Sequence, residues 1–211
     1  MDWIPLADEK RARYESSYGE EDERALVRRG NAAYAAGLAL LMAADPSALE
    51  WFRLAADRWR ASWDAGAPAD AWGRPVGALK ATLLAGDDAA AEELARWALE
   101  LGTATAASPI GRYAGALALL VLGRWPEARH VAEALRERGD FPHDVADALA
   151  FVAAPDPVAY AEALDSVVES FETRSEYLED VPVADTALVL DQLAARRGIA
   201  HELPASPVLP G

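Results

Sequence analysis

The stretch Leu83-Leu84-Ala85-Gly86-Asp87-Asp88-Ala89-Ala90-Ala91-Glu92-Glu93-Leu94-Ala95-Arg96-Trp97-Ala98-Leu99 decides the fold. An apolar Ala/Leu run stops at Gly86, the residue best suited to a left-handed helix end. Asp87 and Asp88 follow as an N-cap and a first-turn charge, and a second helix then alternates small and apolar residues with Glu and Arg. The same helix–turn–helix statement recurs at Ala44-Asp45-Pro46, Gly123-Arg124-Trp125-Pro126 and Ala154-Pro155-Asp156-Pro157. Alanine, the best helix former, supplies 49 of the 211 residues, and no segment alternates with the period of two that a strand needs. The sequence predicts an all-α protein.

Working outward, Glu20, Glu21, Asp22 and Glu23 place negative charge where a helix N-terminus favours it, and that helix runs through Leu26, Tyr34, Leu38 and Leu41 to Ala44. Pro46 is expected in the first turn of its partner, which carries Leu49, Phe52, Trp59 and Trp63 and stops before Gly66-Ala67-Pro68. A second pair is expected over Trp72–Ala85 and Asp87–Leu101, a third over Pro109–Leu122 and Trp125–Arg138, and a fourth over Pro142–Ala153 and Pro157 to about Tyr177. A capping helix spans Ala184–Arg197 and ends at Gly198. Residues 1–20, with a short helix over Leu6–Tyr14, form a lead-in to a single helical domain at 21–198. Residues 199–211, with Pro204, Pro207 and Pro210, form an extended tail that lies on the last helices through Leu203, Val208 and Leu209.

Successive turns are 42, 37 and 32 residues apart, measured between Asp45, Asp87, Arg124 and Asp156, so the array is irregular. Leu83–Leu99, and Leu119–Leu135 with its Leu122-Gly123-Arg124-Trp125-Pro126-Glu127-Ala128, resemble tetratricopeptide repeats. That resemblance implies about four stacked antiparallel hairpins in a degenerate, right-handed array. The alternative is an irregular helical bundle.

Acidic residues outnumber basic ones 35 to 20, a net charge of −15 that repels nucleic-acid phosphates and anionic membrane surfaces. Lys10 and Lys80 are the only lysines, a composition that fits both an ordinary acidic bacterial protein and a salt-rich cytoplasm. There is no cysteine, which excludes disulfides, thiol catalysis and thiolate metal sites. The N-terminus lacks a secretory pattern, and the longest nearly apolar run, 32–44, is too short to span a bilayer. A soluble, cytoplasmic protein is expected.

Chemical constellations are sparse. His130 and Glu133 lie three apart on one helix but have no second pair to complete a metal site, and His143 and His201 stand alone. Asp144 is read as serving a helix start. With 35 carboxylates, chance acid pairs abound and none is singled out. Ser47 and Ser108 precede helices, where a hydroxyl acts as an N-cap, and no nucleophile elbow or phosphate loop is present. Neither a cofactor nor a catalytic residue is expected.

The seven tryptophans are the least ordinary feature. Large aromatics in an Ala-rich stack fill gaps between helices, but Trp and Arg also anchor interfaces. Trp59, Trp63, Trp72, Arg74, Arg112 and Trp125 are the candidate protein-binding residues, with Arg53, Arg58 and Arg60 as further charges. An open array is also compatible with a homodimer, although no motif specifies one.

The C-terminal third carries a second resemblance. Asp156-Pro157-Val158-Ala159-Tyr160-Ala161-Glu162-Ala163-Leu164, then Ser170–Tyr177, Val183–Leu193, Arg197-Gly198-Ile199-Ala200 and Pro207-Val208-Leu209-Pro210 resemble the ending of the immunity protein 49 family. This similarity covers about 55 residues of Leu/Ala/Pro pattern and supplies no motif of functional residues. It implies a helical, non-enzymatic protein that neutralises a polymorphic toxin; the helical array offers its concave face for this, and the acidic charge suits a basic, nuclease-like toxin. The alternative is a tetratricopeptide-like scaffold that binds peptides or assembles a host complex; a third class is a helical enzyme with an unrecognised site.

Overall fold

The structure, a computed structural model, describes residues 1–16, 19 and 22–211. All regular secondary structure among them is helical: α1 (Trp3–Ser16), α2 (Glu23–Met42), α3 (Ala48–Asp64), α4 (Gly73–Leu84), α5 (Asp88–Glu100), α6 (Pro109–Val121), α7 (Trp125–Arg136), α8 (His143–Ala153), α9 (Pro157–Glu172) and α10 (Asp185–Ala195). Short 3-10 turns at Thr103–Thr105 and Leu178–Asp180 complete it. Each helix from α1 to α9 packs on the next, and α4 and α8 also pack on α6. No helix among the described residues is long and apolar enough to cross a membrane.

The helix ends explain why the chain turns where it does. At α4 the Gly86 N–H bonds the Leu83 carbonyl and the Asp87 N–H bonds that of Thr82, the paired closure of a Schellman end. The same two bonds recur at Gly123/Arg124 after α6, at Gly198/Ile199 after α10 and at Ala44/Asp45 after α2. The first three use glycine at the left-handed position, with φ near 65–70°; Ala44 adopts φ 54° and carries its Cβ into a region that alanine avoids.

Several boundaries differ from expectation. Asp22 is the N-cap of α2, accepting from Arg24 and Ala25, so that helix starts at Glu23; Glu20 and Glu21 lie outside the described residues. The third helix starts at Ala48, beyond Pro46, because Asp45 captures the Ser47 N–H and hydroxyl, both through Oδ1. Neither Ser47 nor Ser108 caps a helix with its side chain. Asp87 and Asp156 do, bonding Ala90 and Ala159. The ninth helix stops at Glu172 rather than near Tyr177. There the Thr173 hydroxyl bonds the Glu169 and Ser170 carbonyls and the Tyr177 hydroxyl takes the Phe171 carbonyl, satisfying the helix end locally.

Burial separates two kinds of helix. The first member of each pair is buried almost continuously: residues 32–40 of α2, 77–84 of α4 and 113–121 of α6 are all inaccessible. The second members bury a single stripe, such as Ala91, Leu94, Ala95 and Ala98 in α5. The first helices therefore need cover on two sides, and the C-terminal segment provides part of it. Helix α10 packs on α4, α8 and α9, while the tail is pinned by the Ala184 N–H to the Val208 carbonyl at 2.8 Å, with Val208 and Leu209 buried.

Glycine makes the closest helix approaches possible. A Cβ on Gly30 of α2 or on Gly77 of α4 would lie 2.8 or 2.7 Å from the Trp59 ring, and one on Gly37 would lie 2.8 Å from Phe52. The indole of Trp59 thus sits between two glycine-notched helices.

Candidate functional site

The six candidate residues do not form one groove. Trp59 is 4% exposed, and its Nε1 donates to Asn31 Oδ1 at 3.0 Å. Trp63 stacks on Trp72 with centroids 5.7 Å apart and meets Trp97 edge-on at 6.0 Å, while Arg60 lies over Trp97 at 4.5 Å. Trp72 packs on Gly111 at the start of α6, and the neighbouring Arg112 donates its Nε to the Ala106 carbonyl. Arg74 is committed to Ser62 and Glu23. Trp125 stands apart beneath Arg197, whose guanidinium lies 4.3 Å from its ring centre and also bonds the Val152 carbonyl. The tryptophans knit helices together, and the arginines seal their edges.

Helix α10 docks on α4 and α8, two of the nearly continuously buried helices, and on α9. Its first residue, Asp185, joins three helices: Oδ2 accepts from Tyr34 of α2 at 2.7 Å and from Lys80 of α4 at 2.6 Å, and the adjacent Thr186 accepts from Lys80 at 3.0 Å. Burial and the Asp185 carboxylate push the phenols of Tyr34 and of Tyr113, on α6, well above their ordinary range. Lys80, the lone cation in the buried stretch 77–84 of α4, was the sequence signal for this junction; its partner a hundred residues away had none.

A different surface stands out at the C-terminal end. Residues 140–211 hold fourteen carboxylates and three arginines, so eleven of the chain's fifteen net negative charges fall there. On α9, Glu162, Asp165, Glu169 and Glu172 recur at intervals of three and four and are all exposed, and Glu176 continues the line. Val158, 71% exposed, heads this ridge one turn earlier. Among the described residues its nearby counter-charges are Arg174, which leans over the Phe171 ring, and His201, 3.5 Å from Asp165. Five carboxylates at heptad-like spacing were readable in the sequence, but only the packing shows that they share a solvent face.

Among the described residues no three His, Asp or Glu side chains converge as a metal site would require. His130 is exposed, and Glu133 is taken up by Arg129 and Arg136 on its own helix. No family model matches the chain, and no curated protein or solved structure matches it.

Proposed function

We propose that this is a non-catalytic binding protein whose acidic C-terminal face engages a basic protein, and that its role is that of an immunity protein neutralising a polymorphic toxin by direct contact. The observation that carries the reading is the α9 ridge, an exposed line of carboxylates that outnumber their neighbouring cations, in the third of the chain that holds most of the net charge. Such a field speeds encounter with a basic partner and imitates the phosphate spacing that a nuclease-like toxin is built to grip. The resemblance to the immunity protein 49 family lies in the same third. The binding surface moves with it, from the concave side expected of the array to the exposed face of α9.

The scaffold reading draws on the repeated Schellman ends, which give the turns a tetratricopeptide-like regularity and fit a right-handed array. It asks for an open inner groove, and the docking of α10 against α4 and α8 argues against one.

The test is co-expression with toxin domains encoded beside this chain. One basic domain should co-purify at low salt, be released as salt rises and lose its toxicity in the complex. Failure of every such domain to bind would overturn the immunity role.

A further inference from the structure

A cleft of about 450 Å³ opens between α2, α3, α4 and the turn Leu178–Asp180. Its apolar wall is made of Val27, Tyr34, Trp59, Val76 and Leu178, and its polar groups are Asn31, Arg74, Lys80 and Asp185. The turn that roofs it is unusual: Glu179 and Asp180 both adopt left-handed backbone, at φ 56° and 60°. Glu179 is held by Arg13 of α1 at 2.5 Å, and Leu178, 47% exposed, stands at the mouth. Two adjacent non-glycine residues in this region are strained, and the tether to α1 keeps the roof in place.

The hydrogen-bonding capacity of the cleft is one-sided. Asp185 accepts three bonds, from Lys80 and Tyr34 on Oδ2 and from Thr186 on Oδ1. Lys80 spends two of its three N–H donors, on Asp185 and Thr186. Asn31 accepts Trp59 through Oδ1, which turns its NH₂ group to the other side. The spare groups are thus donors. Among the described residues the lining carries two cations and one carboxylate, Lys80 paired with Asp185 and Arg74 with Glu23 just outside the cleft.

We infer that this cleft binds a small aromatic or conjugated monocarboxylate. The carboxylate meets the free donors of Lys80 and Asn31, and the flat hydrocarbon body lies between Val27, Val76 and Leu178 against the Tyr34 ring. The third Lys80 N–H and the Asn31 amide offer two donors, the number that the two oxygens of one carboxylate take up and too few for the oxygens of a phosphate ester. The volume is that of an ordinary small-ligand pocket, and spare buried donors give an acceptor-bearing ligand its specificity. This inference is independent of the toxin-binding role, because the cleft and the α9 ridge share no residue.

The test uses trans-cinnamate and its neutral isostere cinnamamide, followed by titration calorimetry and thermal unfolding. Cinnamate should bind saturably with a dissociation constant of about 0.1–1 mM and raise the melting temperature, and cinnamamide should bind at least about tenfold more weakly. Val76→Phe, which fills the cleft, should abolish the heat of binding while circular dichroism stays helical. If that variant fails to fold, Leu178→Trp at the exposed mouth should weaken cinnamate binding at least about fivefold. Absence of saturable binding to the folded wild type would overturn the site. Equal affinity for the amide would overturn the carboxylate assignment, and unchanged binding in the folded Val76→Phe or Leu178→Trp protein would place the ligand elsewhere.

Discussion

Lys80 on α4 and Asp185 at the start of α10 meet at 2.6 Å, joining two segments more than a hundred residues apart. Both side chains are largely withdrawn from solvent, so each charge depends on the other and on Tyr34 and Thr186 for what water no longer supplies. Lys80→Met strands the Asp185 carboxylate and should cost about 3 kcal/mol in urea unfolding. The double variant Lys80→Met/Asp185→Leu removes both charges and should recover at least about half of that loss. If the double variant is as unstable as the single one, the pair is not what holds α10 on the array.

Helix-interior glycines normally gain stability when changed to alanine, by up to about 1 kcal/mol. Gly77 and Gly115 should do the reverse. A Cβ at Gly77 would press on Trp59, and one at Gly115 would lie 2.5 Å from the Ala104 Cα, a backbone atom that cannot step aside. Gly77→Ala should cost about 1–2 kcal/mol, and Gly115→Ala more, about 3 kcal/mol. Gly73, with open space around its missing Cβ, is the control, and Gly73→Ala should be neutral or slightly stabilising. Denaturant midpoints of the three variants check the ranking.

Both lysines are buried, Lys10 at 3% exposure beside Glu9 and Lys80 at 8%, so the folded surface offers no ε-amine. Acetylation by an N-hydroxysuccinimide ester, mapped by mass spectrometry, should be at least about tenfold slower at both positions in the native protein than in guanidinium, because it must wait for local opening. A fast reaction at Lys80 would mean either that the reagent reaches it through the cleft beside α4 or that α10 detaches readily.

The pH response follows from carboxylates that serve as backbone acceptors. Hydrogen bonds from Ala25 and Arg24 hold Asp22 below its ordinary value of 3.8, and the Ser47 hydroxyl and N–H do the same for Asp45. A lowered carboxylate stabilises the fold fully above the unfolded value and loses that contribution as pH falls through the folded one. Asp191 is the opposite case: burial raises it, so its contribution is intact below 3.8 and declines as pH rises through its folded value. Asp22→Asn should therefore flatten the loss of melting temperature below pH 4, and Asp191→Asn should raise it at pH 7 by about 2 °C but not at pH 3.

Much of the fold could be read from punctuation. Gly86, Gly123 and Gly198 marked helix ends because only glycine enters the left-handed turn cheaply, and Asp87 and Asp156 marked the starts that follow. Ser47 misled because its hydroxyl donates to the neighbouring Asp45 carboxylate instead of accepting from the first turn of the helix. The site was less legible. Tryptophan spacing says that a ring faces one side of a helix, but not whether a glycine such as Gly30 or Gly77 waits to receive it, and here the glycines turn most of a candidate interface into packing. The docking of α10 was illegible for a related reason: an Ala/Leu stripe on the far side of a helix such as α4 does not say which distant segment covers it.

The α9 ridge supplies the sharpest separation between fold and function. Among the described residues the exposed Glu162, Asp165 and Glu169 side chains bond no other helix, and only His201 approaches, 3.5 Å from Asp165, so reversing them should leave the melting temperature within about 2 °C. The three lysines repel one another as the carboxylates did, and only position 169 gains an opposite charge, Glu172, three residues on. Binding to a basic partner should respond strongly: the triple variant Glu162→Lys/Asp165→Lys/Glu169→Lys changes the local charge by six, and the association rate at low salt should fall by about a hundredfold. Dissociation should change far less, since exposed charges act on encounter more than on the docked complex. Stopped-flow or biosensor rates at two salt concentrations read both effects, and the difference between wild type and variant should shrink as salt screens the field. A variant that keeps the wild-type rate at low salt would place the partner on another face and leave Val158 and its ridge as ordinary solvent surface.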